Sequence, residues 1–142
     1  MKLMKHVIPA ALLLMMSSGA ALAAAITITA TNNTTSTVSP SSASYAGTVT
    51  PTPLPLLAGQ SQPYTNTGIG NITSFHIDYS NTAGKKCHYD AASFNQSTPT
   101  SPCVYTKAAK STGSTYATCT ATVTSASTNP ANCSFSVTFG IR

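Results

Sequence analysis

The strongest constraint on the fold is an alternation of period two that sharpens toward the C-terminus. Cys133, Phe135, Val137, Phe139 and Ile141 alternate with Ser134, Ser136 and Thr138. Side chains two apart on a strand face the same way, so this segment reads as a strand with one apolar and one polar face. Residues 72–79 repeat the pattern, with Phe75, Ile77 and Tyr79 opposite Ser74, His76 and Asp78. Over 87–94, Cys87, Tyr89 and Ala91 oppose His88 and Asp90, and over 116–124, Ala117, Cys119, Ala121 and Val123 share a side. Ile26, Ile28 and Ala30 alternate with Thr27 and Thr29, residues 103–105 open a further strand, and 45–50 form a weaker one. Helical periodicity is missing after the first two dozen residues. The expected fold is all-β, an antiparallel β-sandwich or small barrel of about seven short strands.

Those first two dozen residues have a different character. Lys2 and Lys5 precede an apolar run over 7–16, and Ala21-Leu22-Ala23 supplies a small-x-small cleavage site. This is the pattern of a Sec-type signal peptide, and the run is too short for a retained membrane span. The expected organisation is a cleaved signal over 1–23 and one domain over 24–142, with no integral membrane segment. The expected location is periplasmic, cell-surface or extracellular, in a bacterium. Five basic residues (Lys85, Lys86, Lys107, Lys110, Arg142) then face only Asp78 and Asp90, a net charge of +3. Scattered positive charge of that size does not suit nucleic-acid binding. Ser, Thr, Ala and Asn occupy positions where charged side chains usually stand, yet ten Phe and Tyr residues in alternating runs argue against disorder.

Cys87, Cys103, Cys119 and Cys133 all lie in the 24–142 domain. An even count in a small exported domain implies two disulfides, with three possible connectivities. We expect Cys87–Cys103 and Cys119–Cys133. A structural zinc held by all four thiolates is the competing reading, but no C-x-x-C pair occurs. Pro51, Pro53 and Pro55 imply an extended segment that Leu54, Leu56 and Leu57 can tuck against the body.

One constellation carries chemistry. The two acidic residues of the chain and the two histidines of the domain occur in matching tripeptides, His76-Ile77-Asp78 and His88-Tyr89-Asp90. A hairpin turning at 80–86 with Tyr79 opposite Cys87 would set Asp78 against His88 and His76 against Asp90. Directly opposed Cβ atoms lie about 5 Å apart. Three readings follow: two cross-strand pairs that stabilise the hairpin, a zinc, copper or nickel site made of His76, Asp78, His88 and Asp90, or a pH-responsive patch. Lys85 and Lys86 fall in the turn and are expected to be solvated.

No G-x-S-x-G elbow occurs and no further carboxylate is present for acid–base chemistry, so a non-enzymatic role is expected. The first expectation is a binding or adhesion module whose protein or glycan ligand meets hydroxyl-rich loops and exposed tyrosines. The second is a self-associating structural subunit of a surface filament. In size, export signal and Ser/Thr/Gly-rich alternation the chain resembles bacterial pilins of the donor-strand type. That resemblance implies that the strand at 26–30 is donated between subunits. It departs from the pilin pattern in carrying Ile141 where a penultimate aromatic is usual, and in clustering its cysteines in the second half. The third expectation is a secreted metal-binding protein using the His/Asp hairpin.

Overall fold

A computed structural model describes residues 24–96, 103–129 and 132–142; the expected signal segment lies outside the described residues. The described residues form nine strands: β1 Ala25–Asn32, β2 Ser39–Ala46, β3 Thr48–Thr50, β4 Ser61–Thr67, β5 Ile72–Ser80, β6 Lys86–Asn95, β7 Cys103–Ser111, β8 Cys119–Ala126 and β9 Phe135–Ile141. They build a five-stranded sheet in the order β3-β4-β1-β9-β8 and a four-stranded sheet in the order β2-β5-β6-β7. The two sheets pack face to face as a β-sandwich, and no helix among the described residues is long and apolar enough to cross a membrane.

The apolar faces read from the sequence meet between the sheets. Ile26, Ile28, Phe75, Ile77, Tyr79, Cys87, Tyr89, Phe135, Val137, Phe139 and Ile141 are all buried in one cluster. Tyr89 stacks on Phe139 at 4.6 Å between ring centroids, and its hydroxyl donates to the Gly140 carbonyl at 2.7 Å. Burying each large side chain contributes about 1.5–3 kcal/mol relative to leaving it in water. β1 lies in the middle of its sheet, antiparallel to β4 and parallel to β9, with Ile28 opposite both Tyr64 and Val137.

Nine strands among the described residues replace the seven or so expected, and the additional ones come from polar sequence. β2 (SPSSASYA) is almost wholly exposed along the edge of its sheet, so it has no apolar alternation to read. β4 contains Pro63, a residue that argues against a central strand. It is accommodated because β3 pairs only with Thr65, Asn66 and Thr67, so β4 has a single sheet partner at Pro63. The strand expected over 45–50 is divided at Gly47, where φ is 129° and an added Cβ would lie 2.2 Å from the Thr67 carbonyl oxygen. There the chain leaves one sheet and enters the other, closing one side of the sandwich. Of the leucines in the proline-rich segment only Leu56 is buried, bridged to Val38; Leu54 and Leu57 are exposed. The strand expected from Tyr116 begins only at Cys119.

The disulfides close the opposite side, and their connectivity corrects the expected one. Cys87 is bonded to Cys119 and Cys103 to Cys133, with Cα separations of 5.7 and 5.2 Å. The antiparallel hairpins exclude the sequence-adjacent pairing. Cys87 pairs with Ser111 on β7, whereas Cys103 pairs with Asn95 at the far end of β6. Eight residues of strand put about 27 Å between those positions, against a bridging limit of about 7 Å. Likewise Cys119 lies opposite Ile141, while Cys133 precedes the start of β9 at the other end of that hairpin. Each bridge instead runs between the sheets, and the presence of two disulfides is consistent with an extracytoplasmic protein.

Candidate functional site

The β5–β6 hairpin is organised by Asn81 at its turn. Asn81 N–H donates to the Lys85 carbonyl at 3.0 Å, and its side-chain oxygen accepts from Lys85 N–H at 3.0 Å. Gly84 takes the left-handed conformation the turn needs, with φ 81°. The register pairs Tyr79 with Cys87, Asp78 with His88 and His76 with Asp90. On the inner side Ile77, Tyr79, Cys87 and Tyr89 are buried, so a slip of one residue would turn them all to water. The core thus sets the register that brings His76, Asp78, His88 and Asp90 together on the outer face.

The four side chains form one continuous network. His88 Nδ1 lies 2.6 Å from Asp78 Oδ1, and His88 Nε2 lies 3.2 Å from Asp90 Oδ1. His76 Nδ1 bonds the same Asp90 oxygen. The imidazoles stack with centroids 6.5 Å apart and planes 19° from parallel. Asp78 is the best-held member: its Oδ2 accepts from Ser42 Oγ on β2 at 2.9 Å and from Lys86 Nζ at 2.8 Å. Burial disfavours its ionisation, but the hydrogen bonds from Lys86, His88 and Ser42 outweigh that and hold the carboxyl below its ordinary range. The hydrogen bond to Asp78 raises the His88 pKa; burial opposes this, and the Asp90 and Asp78 charges reinforce it. Lys86, expected to be a solvated turn residue, opens β6 and is part of the network. Its place was implicit in the register, since it is diagonal to Asp78. Ser42 had no such signal, because β2 itself has none.

Ligand-type atoms of His76, His88 and Asp90 all lie within 4.8 Å of one another, while Asp78 stands behind His88 as its hydrogen-bond partner. Lys110 of β7 is opposite His88 on its other side, and Ser44 of β2 is opposite His76.

A second surface forms where residues 112–118 join β7 to β8. This connection is docked on the β5–β6 turn: Thr115 N–H donates to the Gly84 carbonyl at 3.0 Å, and Thr115 Oγ1 to that of Ala83 at 2.8 Å. On the other side Ala117 is buried, and Thr118 exchanges backbone hydrogen bonds with Arg142 at 2.8 and 3.0 Å. Between these anchors Tyr116 remains 78% exposed. It rims an open groove of about 630 Å³ whose lining includes Lys110, Ser111 and Ser114. Reading Tyr116 into a strand conceals this presentation. No protein-family model matches the chain, and no curated protein is significantly similar to it.

Proposed function

We propose that this chain is an exported, non-enzymatic binding module of the bacterial cell surface that recognises a glycan through the Tyr116 groove. The observation that carries this reading is a largely exposed tyrosine on backbone pinned at both neighbours. An aromatic ring held this way offers an apolar platform at little entropic cost. Lys110, Ser111 and Ser114 line the same groove, a polar lining that suits a polyhydroxylated ligand. Glycan-array binding by the purified protein tests the reading. Signal on a defined set of glycans, lost in Tyr116→Ala and kept in His76→Ala, supports it. An array without signal, or one unchanged in Tyr116→Ala, refutes it.

A second reading, a subunit of a surface filament, is favoured by β1. An N-terminal strand that fills the middle of a sheet, with Ile26, Ile28 and Ala30 buried, is suited to exchange between copies. SDS-resistant ladders that collapse on boiling would support it, and a monomer at all concentrations would count against it.

A further inference from the structure

We infer that the outer face of the β5–β6 hairpin binds one divalent transition-metal ion, zinc or copper, through His76, His88 and Asp90, with Asp78 as a positioning residue. The inference is independent of the glycan reading, since none of these four residues lines the Tyr116 groove.

The tautomer of His88 determines what the cluster can hold. Its Nδ1 is 2.6 Å from a carboxylate that already accepts from Ser42 and Lys86. A carboxylate so engaged is an acceptor, so neutral His88 carries its proton on Nδ1 and donates it to Asp78. That leaves the lone pair of Nε2 directed at Asp90 Oδ1, 3.2 Å away. The space between these two atoms takes either a hydrogen-bonding proton or a metal ion in its place. The same oxygen is also met by Nδ1 of His76, so two imidazole nitrogens and one carboxylate converge on one spot.

The spacing fits a metal. Bonds of about 2.0–2.2 Å in tetrahedral geometry put ligand atoms roughly 3.2–3.6 Å apart. The 4.8 Å span of the three donors therefore closes with small side-chain rotations. The ligands are free to make them, because His76, His88 and Asp90 side chains are 46%, 40% and 35% exposed. Imidazole with carboxylate suits zinc and copper rather than calcium or magnesium, and copper(II) binds the more tightly of the two. Asp78, only 12% exposed, plays the part of the carboxylate that orients a ligating histidine through its other nitrogen. With the three side chains part-exposed, water can complete the coordination. Lys110 and Lys86 flank the site, and their charge keeps affinity moderate.

Isothermal titration of zinc or copper(II) into the chelator-treated protein tests the inference. Expected are a 1:1 stoichiometry, tighter copper binding, loss of binding in His76→Ala and His88→Ala, and about 10–100-fold weaker binding in Asp78→Asn. Nitrogen hyperfine structure from two imidazoles in the copper(II) EPR spectrum is a signature that a merely structural role would not produce. His76 and His88 are part-exposed whereas Asp78 is nearly buried, so matched thermal melts check that all three variants are folded. Heat no greater than in His76→Ala, or a spectrum unaltered by that change, overturns the site. A loss in Asp78→Asn as large as in His88→Ala overturns the positioning role.

Discussion

Removing the Cys87–Cys119 bridge by the double substitution Cys87→Ala/Cys119→Ala should destabilise the domain by about 3.7 kcal/mol. The bridge joins residues 32 apart. Closing a loop of that length removes about 12 cal/mol/K of chain entropy from the unfolded state, or about 3.7 kcal/mol at 25 °C. Loss of the fully buried Cys87 sulfur adds to this, since the site is packed among core side chains. With a urea m-value of about 1.5–2 kcal/mol/M, the unfolding midpoint should fall by about 2 M. The same variant tests the connectivity. With Cys103 bonded to Cys133 the protein keeps its second bridge, and thiol titration under native conditions should find no free cysteine. Two free thiols would show that Cys87 and Cys119 had different partners. A cost below about 1 kcal/mol with the second bridge intact would refute the loop-entropy argument.

In metal-free protein the His88–Asp78 pair should make stability bell-shaped in pH. The raised His88 pKa contributes fully below its unfolded value of 6.5, and that contribution fades as pH rises through the folded value. The lowered Asp78 pKa contributes above 3.8 and is lost as pH falls through its folded value. The pair is thus strongest between about 4 and 6.5, and worth about 0.2–1 kcal/mol given the exposure of the imidazole. Urea midpoints across pH should show the upper arm flattened in His88→Gln; an unchanged profile would remove the pair from the account. Among the buried tyrosines, Tyr89→Phe should cost about 1–2 kcal/mol by removing the hydroxyl donated to Gly140. Tyr64→Phe/Tyr79→Phe should be near neutral or stabilising, because those hydroxyls are buried without a well-formed partner. The reverse order in thermal melts would contradict this.

What is legible in the sequence is what the core dictates locally. The hairpin of β5 and β6 and the strand β9 announce themselves because each buries a full apolar face, and the His76, Asp78, His88 and Asp90 register follows from that face alone. β2 and β4 are hidden for opposite reasons: one lies exposed at an edge, the other accepts a proline where its neighbour ends. The disulfide connectivity is not legible, because sequence proximity is a poor guide when strands run antiparallel. Neighbouring cysteines sit at opposite ends of their hairpins, and only the stacking of one sheet on the other brings Cys87 to Cys119. Ser42 reaches Asp78 by the same kind of non-local route, through a strand with no signature.

The fold also separates its proposed activities in space. β1 joins what would otherwise be two pieces of the five-stranded sheet, β3-β4 on one side and β9-β8 on the other. Withdrawing it would uncover Ile26, Ile28 and Ala30 and their partners across the core, at several kcal/mol for the two isoleucines alone. The His/Asp network belongs to the other sheet and is held by hydrogen bonds to β2 and by the β5–β6 turn, neither of which contains β1. Exchange of β1 between copies would therefore leave the His/Asp cluster in register. Tyr116 is less insulated, because Thr118 is tied to Arg142 at the end of the strand that β1 flanks. A perturbation of β1 should reach the Tyr116 groove before it reaches the His/Asp face.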